Sequence, residues 1–194
     1  MIKFSWVDLF MIGIFLRGIS VGRRTDFVTE IFRLLGVFLA TIVALHYYMT
    51  FSNTLIRITF NYPILKLFSF CILAIWVYSF FSLLRKGWKF ILQLEGHPNF
   101  NKITGMILSL VRRVLLCGLF LAGLMASEEP YLIDSSVNSF SGVYFKKVSP
   151  AIYRFAYDTM IGKLMPGEPV NLEIFRILAE QPPAQTKALE APKK

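Results

Sequence analysis

The chain has 194 residues, 55% of them hydrophobic, a mean hydropathy of +0.56 and a formal net charge of +9. Soluble domains use about 45–50% apolar residues, so this composition argues against an ordinary soluble fold. The basic residues cluster beside apolar runs, so a membrane charge bias explains them more simply than nucleic acid does.

The first apolar run covers residues 4–21, with Asp8 near its start and Arg17 near its end. Those two residues fall on opposite sides of a helix and do not pair. The start, Met1-Ile2-Lys3, is weakly basic, but Asp8 interrupts the run and no clean small-residue cleavage site follows. A retained helix is therefore expected rather than a cleaved signal peptide. Gly18 and Gly22 form a small-xxx-small step that lets another helix approach closely. The short hinge Gly22-Arg23-Arg24-Thr25-Asp26 turns the chain into a membrane hairpin, with Thr25 or Asp26 as the helix cap.

The second run carries Glu30 and Arg33, three residues apart and able to pair, and is then free of formal charge over residues 34–56. His46-Tyr47-Tyr48 at its far end reads as an interfacial aromatic belt, and residues 49–62 read as a polar connection. Pro63 opens the third run, residues 64–84, where the one charge is Lys66 near the end. Arg85, Lys86 and Lys89 follow, with Trp88 as an anchor. Gly96-His97-Pro98-Asn99 breaks the chain, and Asn101 is expected to cap a helix beginning at Lys102. Residues 103–126 are long enough to span if Arg112 and Arg113 face protein, water or the interface. An arginine at the bilayer centre costs about 2.5–3.5 kcal/mol on insertion scales. An interfacial or re-entrant placement of residues 99–126 is the competing expectation. Nineteen phenylalanines suit lipid contact along these runs.

Glu128-Glu129-Pro130 ends the fourth run. Beyond Ser149-Pro150 the pattern reads as an amphipathic helix with Ile152, Phe155, Ala156 and Met160 near one face. Residues 172–179 suit a second short helix, and the last residues a disordered tail. The expected fold class is all-α and polytopic, with about four transmembrane helices and short amphipathic helices towards the C-terminus. The expected organisation is a four-span domain at 1–126, an amphipathic segment at 127–180 and a tail at 181–194. The first and third connections carry most of the basic residues. They are expected in the cytoplasm, leaving both termini outside.

Ordered features along the chain carry a family resemblance. They are Trp6-Val7-Asp8, Phe27-Val28-Thr29-Glu30 and His46-Tyr47-Tyr48, then Asn101-Lys102-Ile103-Thr104-Gly105 followed by Arg112. Their order and spacing over residues 4–160 resemble the colicin V production protein family, the CvpA-like bacterial inner-membrane proteins. Family members commonly have Arg-Gly where this chain has Thr25-Asp26, and glycine where it has Arg113. The resemblance implies a multi-pass inner-membrane protein required for production or export of a peptide toxin. The same module anchors some periplasmic serine proteases, but residues after the fourth run are too few for a protease domain and hold no histidine.

The candidate polar residues are Asp8, Glu30, His46, Asn101 and Arg112. In one reading they line a path for ions, protons or a peptide. In the plainer reading they are solvated or paired at helix ends, with His46 and Asp8 at an interface. Glu30 and Arg112 are open to an interhelical ion pair. Gly18, Gly22, Gly105 and Gly118 read as helix-contact surfaces. No Ser/His/Asp set, phosphate loop or metal-ligand spacing occurs, so no catalytic residue, metal or cofactor is expected and an enzyme is not. The expected function is non-enzymatic support of toxin production or export and envelope homeostasis. An oligomeric channel or transporter subunit for ions or small solutes is the first alternative, and a scaffold docking a periplasmic partner the second. Candidate partners are the lipid bilayer, further copies of the chain and an envelope protein; nucleic acid is not one.

Overall fold

The computed structural model describes residues 4–22, 27–56, 64–91, 98–127, 129–164 and 170–171. The described residues are almost entirely helical, as the sequence predicts. Four long helices come first: α1 (Trp6–Gly22), α2 (Phe27–Ile56), α3 (Ile64–Ile91) and α4 (Pro98–Ala126). Short ones follow: α5 (Pro130–Val137), α6 (Phe140–Phe145), α7 (Val148–Ala156), a π-helical turn (Tyr157–Ile161) and α8 (Gly162–Leu164). The expected Thr25 or Asp26 cap, the Pro63 start, the helix over 172–179 and the tail over 181–194 lie outside the described residues.

Among the described residues, three helices are long and apolar enough to cross a membrane: Phe27–Leu55, Ile64–Gly87 and Ile103–Ala126. The 17 residues of α1 span about 25 Å at 1.5 Å each, against a hydrocarbon core of about 30 Å. By length, three spans stand where the sequence suggested about four.

α4 is the central helix, with 61% of its span buried against 17% for α3. One face of α4 packs with Ala44, Leu45 and Tyr48 of α2, Phe70 of α3 and Tyr153 of α7. Its other face, through Cys117, Leu121 and Leu124, packs with Val7 and Met11 of α1 and is flanked by Leu132 and Phe145. Pairings fix the directions. Phe10 stacks on Phe120 with centroids 4.5 Å apart, while Ser109 reaches Gly18, so α1 and α4 are antiparallel. Gly36 meets Phe81 and Tyr48 meets Phe70, so α2 and α3 are antiparallel.

Four local expectations are corrected. Helix α2 continues to Ile56 rather than ending at Tyr48. Its last two turns contain neither glycine nor proline, and the Thr54 hydroxyl donates to the Thr50 carbonyl at 2.9 Å, a back-bond that helices tolerate. Helix α4 begins at Pro98, so Asn101 lies inside the helix and is not its cap. Proline is well placed at the start, because the first-turn N–H lacks an intrahelical partner anyway. Tyr48 is no belt residue. It is 1% exposed, inside the core, whereas Tyr47 faces outward. Finally, α7 buries Ser149, Pro150, Tyr153 and Ala156, not the face of Phe155 and Met160, which are exposed. Tyr153 and Ala156 are reached from Ser149 at i+4 and i+7, one helical stripe. Beyond Ala156 the π-helical turn carries Tyr157 onto the same core.

Candidate functional site

Two buried carboxylates organise opposite ends of the α1–α4 pair. At one end, Glu30 sits in the first turn of α2 and is fully buried. Its Oε1 accepts from Arg33 Nη1 at 2.6 Å, and its Oε2 accepts from Arg112 Nε at 3.0 Å. Arg112 is 4% exposed, so both partners are withdrawn from water. Such a pair survives because each charge answers the other. Alone, either would carry a desolvation penalty of several kcal/mol.

Arg113 follows directly and is also buried, at 7% exposure. It lies under α1 at Gly18. A Cβ on that glycine would stand 2.7 Å from Arg113 Cγ, so only glycine leaves the side chain room. The Ser109 hydroxyl donates to the Gly18 carbonyl at 3.4 Å, one turn away. Gly18 thus serves a close helix approach, as its spacing suggests, but what approaches is an arginine side chain as much as a helix backbone.

At the other end, Asp8 is 2% exposed. It takes hydrogen bonds from the Ser5 amide at 2.9 Å, the Phe140 amide at 3.3 Å, the Ser141 amide at 2.7 Å and the Ser141 hydroxyl at 2.5 Å. Phe140 and Ser141 open α6, whose first-turn amides have no intrahelical acceptor. Asp8 therefore supplies from α1 the negative charge that a helix N-terminus favours. Ser139 completes the cap, its Oγ accepting from the Gly142 amide at 2.9 Å. Asp8 thus acts as a clamp between α1 and the C-terminal helices.

His46 is likewise buried within the protein, at 8% exposure. Its Nδ1 lies 2.7 Å from the hydroxyl of Tyr153, which is fully buried on α7. That hydroxyl also accepts from the Asn171 amide at 3.2 Å, and Asn171 Nδ2 donates to the Leu45 carbonyl at 2.8 Å. The group ties α2, α7 and the segment at 170–171 together.

Of the residues singled out from sequence, the fold brings Glu30, Arg112 and Gly18 to one neighbourhood and leaves Asp8 and His46 in two others. Gly118 packs against α7, where a Cβ would stand 2.9 Å from Val148 Cβ. Gly105 is buried within α4, Gly22 ends α1, and the Asn101 side chain lies outside the described set. Arg33 and Arg113 complete the Glu30 neighbourhood and Ser139, Ser141, Tyr153 and Asn171 the others. Ser139 ahead of an apolar stretch is the one cap signal of that group visible in sequence. No group of three or more His, Cys, Asp or Glu residues suited to a metal occurs among the described residues.

Compared with known proteins, the chain matches a family model described as colicin V production protein over residues 7–150. Neither the curated proteins nor the solved structures give a match. The matched stretch begins next to Asp8, contains Glu30, His46 and Arg112, and ends within α7. A match over most of the chain, on an all-helical frame with membrane-length apolar helices, makes this a membrane protein that belongs to the colicin V production protein family.

Proposed function

We propose that this protein is a non-enzymatic component of the bacterial inner membrane that supports production or export of a colicin V-type peptide toxin, and with it envelope homeostasis. In this reading α1, shorter than the three membrane-length helices, crosses beside α4 as a fourth span, which puts both termini in the periplasm. The charge distribution supports that orientation: Arg17, Arg33, Arg112 and Arg113 gather at the Glu30 end, with Arg85 lining a small pocket beside Arg33. Basic residues concentrate on the cytoplasmic side of inner-membrane proteins.

The observation that carries the functional reading is how the buried acids are used. Asp8 accepts four hydrogen bonds from its own chain, and Glu30 is held by two arginines. Between them lies an apolar layer that includes Met11, Cys117 and Leu121. Groups engaged this way hold helices together, which suits a supporting protein better than a proton path through one copy.

Chromosomal replacement in a toxin-producing strain tests this reading. Glu30→Gln and Asp8→Asn are expected to shrink the zone of inhibition around producer colonies and to raise detergent sensitivity. Unchanged toxin release on deletion of the whole chain would overturn the role. Ion flux through the purified protein in liposomes would replace it with the oligomeric channel.

A further inference from the structure

The Glu30 neighbourhood holds more positive than negative charge. Arg17, Arg112 and Glu30 lie within electrostatic reach of Arg113, and Arg33 is bound to Glu30. Among the described residues, the guanidinium groups of Arg33, Arg112 and Arg113 therefore lie about one carboxylate, with Arg17 exposed near Arg113. Both Glu30 oxygens are engaged by Arg33 and Arg112. Arg113 Nε is buried and has no hydrogen-bond partner, and the same holds for Arg112 Nη2. Arg113 Nε lies against Gly18 of α1 and Arg112 lines neither groove, so it is the charge of Arg113, short of acceptors, that an anion at the grooves would answer.

What lies beside Arg113 defines the kind of anion. Two grooves meet at this residue. One, of about 450 Å³, runs between α1, α3 and α4 and is lined by apolar side chains including Leu67, Phe70, Ala74 and Leu119. The other, of about 580 Å³, lies along α1 between Trp6 and Arg17. Both are lined by Phe10, Ile14 and Arg113. The first groove exists because α1 and α3 both lie against α4 without closing over it. Apolar walls exclude a free hydrophilic anion from most of this space, and the cation at the junction disfavours a purely apolar occupant.

We propose that the two grooves and Arg113 form a binding site for one anionic diacyl phospholipid of the surrounding bilayer. An acyl chain lies in each groove, and the phosphate accepts from Arg113, with Arg17 beside it. Basic pockets between membrane helices bind anionic headgroups by this chemistry. The site depends on the protein being embedded in lipid and not on any role in toxin export.

The test uses the full chain purified in mild detergent, with native mass spectrometry during titration by phosphatidylglycerol or phosphatidylcholine. The wild type is expected to retain phosphatidylglycerol roughly fivefold better, the order of preference one basic residue confers near an anionic surface. Arg113→Gln is expected to abolish that preference and Arg113→Lys to keep it. Ala74→Phe, which fills the first groove, is expected to lower retention of both lipids. If Arg113→Gln melts well below wild type, Ala74→Phe decides the matter by itself. Equal retention of the two lipids by the wild type, or full retention by Ala74→Phe, would overturn the site. Displacement of bound phosphatidylglycerol by millimolar inorganic phosphate would reduce it to a simple ion site and overturn the lipid assignment. A lipid-independent dimer that Ala74→Phe dissociates would hand the groove to a second copy of the chain.

Discussion

Glu30 and Arg112, 82 positions apart in sequence, meet at 3.0 Å across the α2–α4 contact with almost no exposure to water. Removing one partner of a buried pair typically costs about 3–5 kcal/mol, because the other charge stays buried and unanswered. Glu30→Gln is therefore expected to lower the melting temperature of the detergent-solubilised protein clearly. The double replacement Glu30→Gln with Arg112→Met is expected to recover much of the loss. A single variant that melts with wild type would show that the pair contributes nothing.

Asp8 is expected to matter locally before it matters globally. Hydrogen bonds to a charged group are worth about 1.5–3 kcal/mol, and caps about 0.5–2 kcal/mol. In Asp8→Ala, amide exchange at Phe140 and Ser141 should speed up by an order of magnitude or more, while exchange in the middle of α4 stays slow. Equal acceleration everywhere would mean that Asp8 supports the whole bundle and not the start of α6.

Two glycines make a matched comparison. A Cβ at Gly118 would stand 2.9 Å from Val148 Cβ, whereas a Cβ at Gly13 would meet nothing within 4 Å. Gly118→Ala is expected to destabilise by about 1–3 kcal/mol through overpacking against α7. Gly13→Ala should be neutral or stabilising by up to about 1 kcal/mol, the helix-propensity gain. Thermal unfolding of the two variants side by side checks both signs.

Tyr153→Phe keeps the ring in the core and removes the hydroxyl that joins His46 to the Asn171 amide. Leaving buried partners unsatisfied costs about 1–3 kcal/mol. The segment at Asn171 is expected to become more sensitive to limited proteolysis, with the helical signal in circular dichroism unchanged.

The sequence shows the long apolar helices through hydrocarbon-length runs and leaves a Glu30–Arg112 pair open, because lipid does not tolerate such charges alone. It does not show the C-terminal arrangement, because the signals there are weak or misleading. Phe155 and Met160 look like core residues by composition, yet the buried stripe runs through Ser149, Tyr153 and Ala156. Two tyrosines follow His46 in sequence, but the partner that covers it, Tyr153, comes 107 residues later. The serines and threonines after Tyr48 suggest a loop by polarity, but the hydroxyl of Thr54 folds back onto its own helix. Asp8 is conspicuous in sequence as a charge, and its partners on α6 depend on a long-range contact that no local pattern encodes.

The separation between Glu30 and its second arginine also bears on biogenesis. Arg33 emerges from the ribosome just behind Glu30, but Arg112 follows 82 residues later. At about 5–20 residues per second, translation leaves that interval at roughly 4–16 s. Throughout it the nascent hairpin sits in or beside the translocon without the contact that ties α2 to α4. The last long helix to be synthesised is then the one that locks the start of α2 in place, so a chain truncated before Arg112 is expected to keep α2 undocked and open to membrane quality-control proteases.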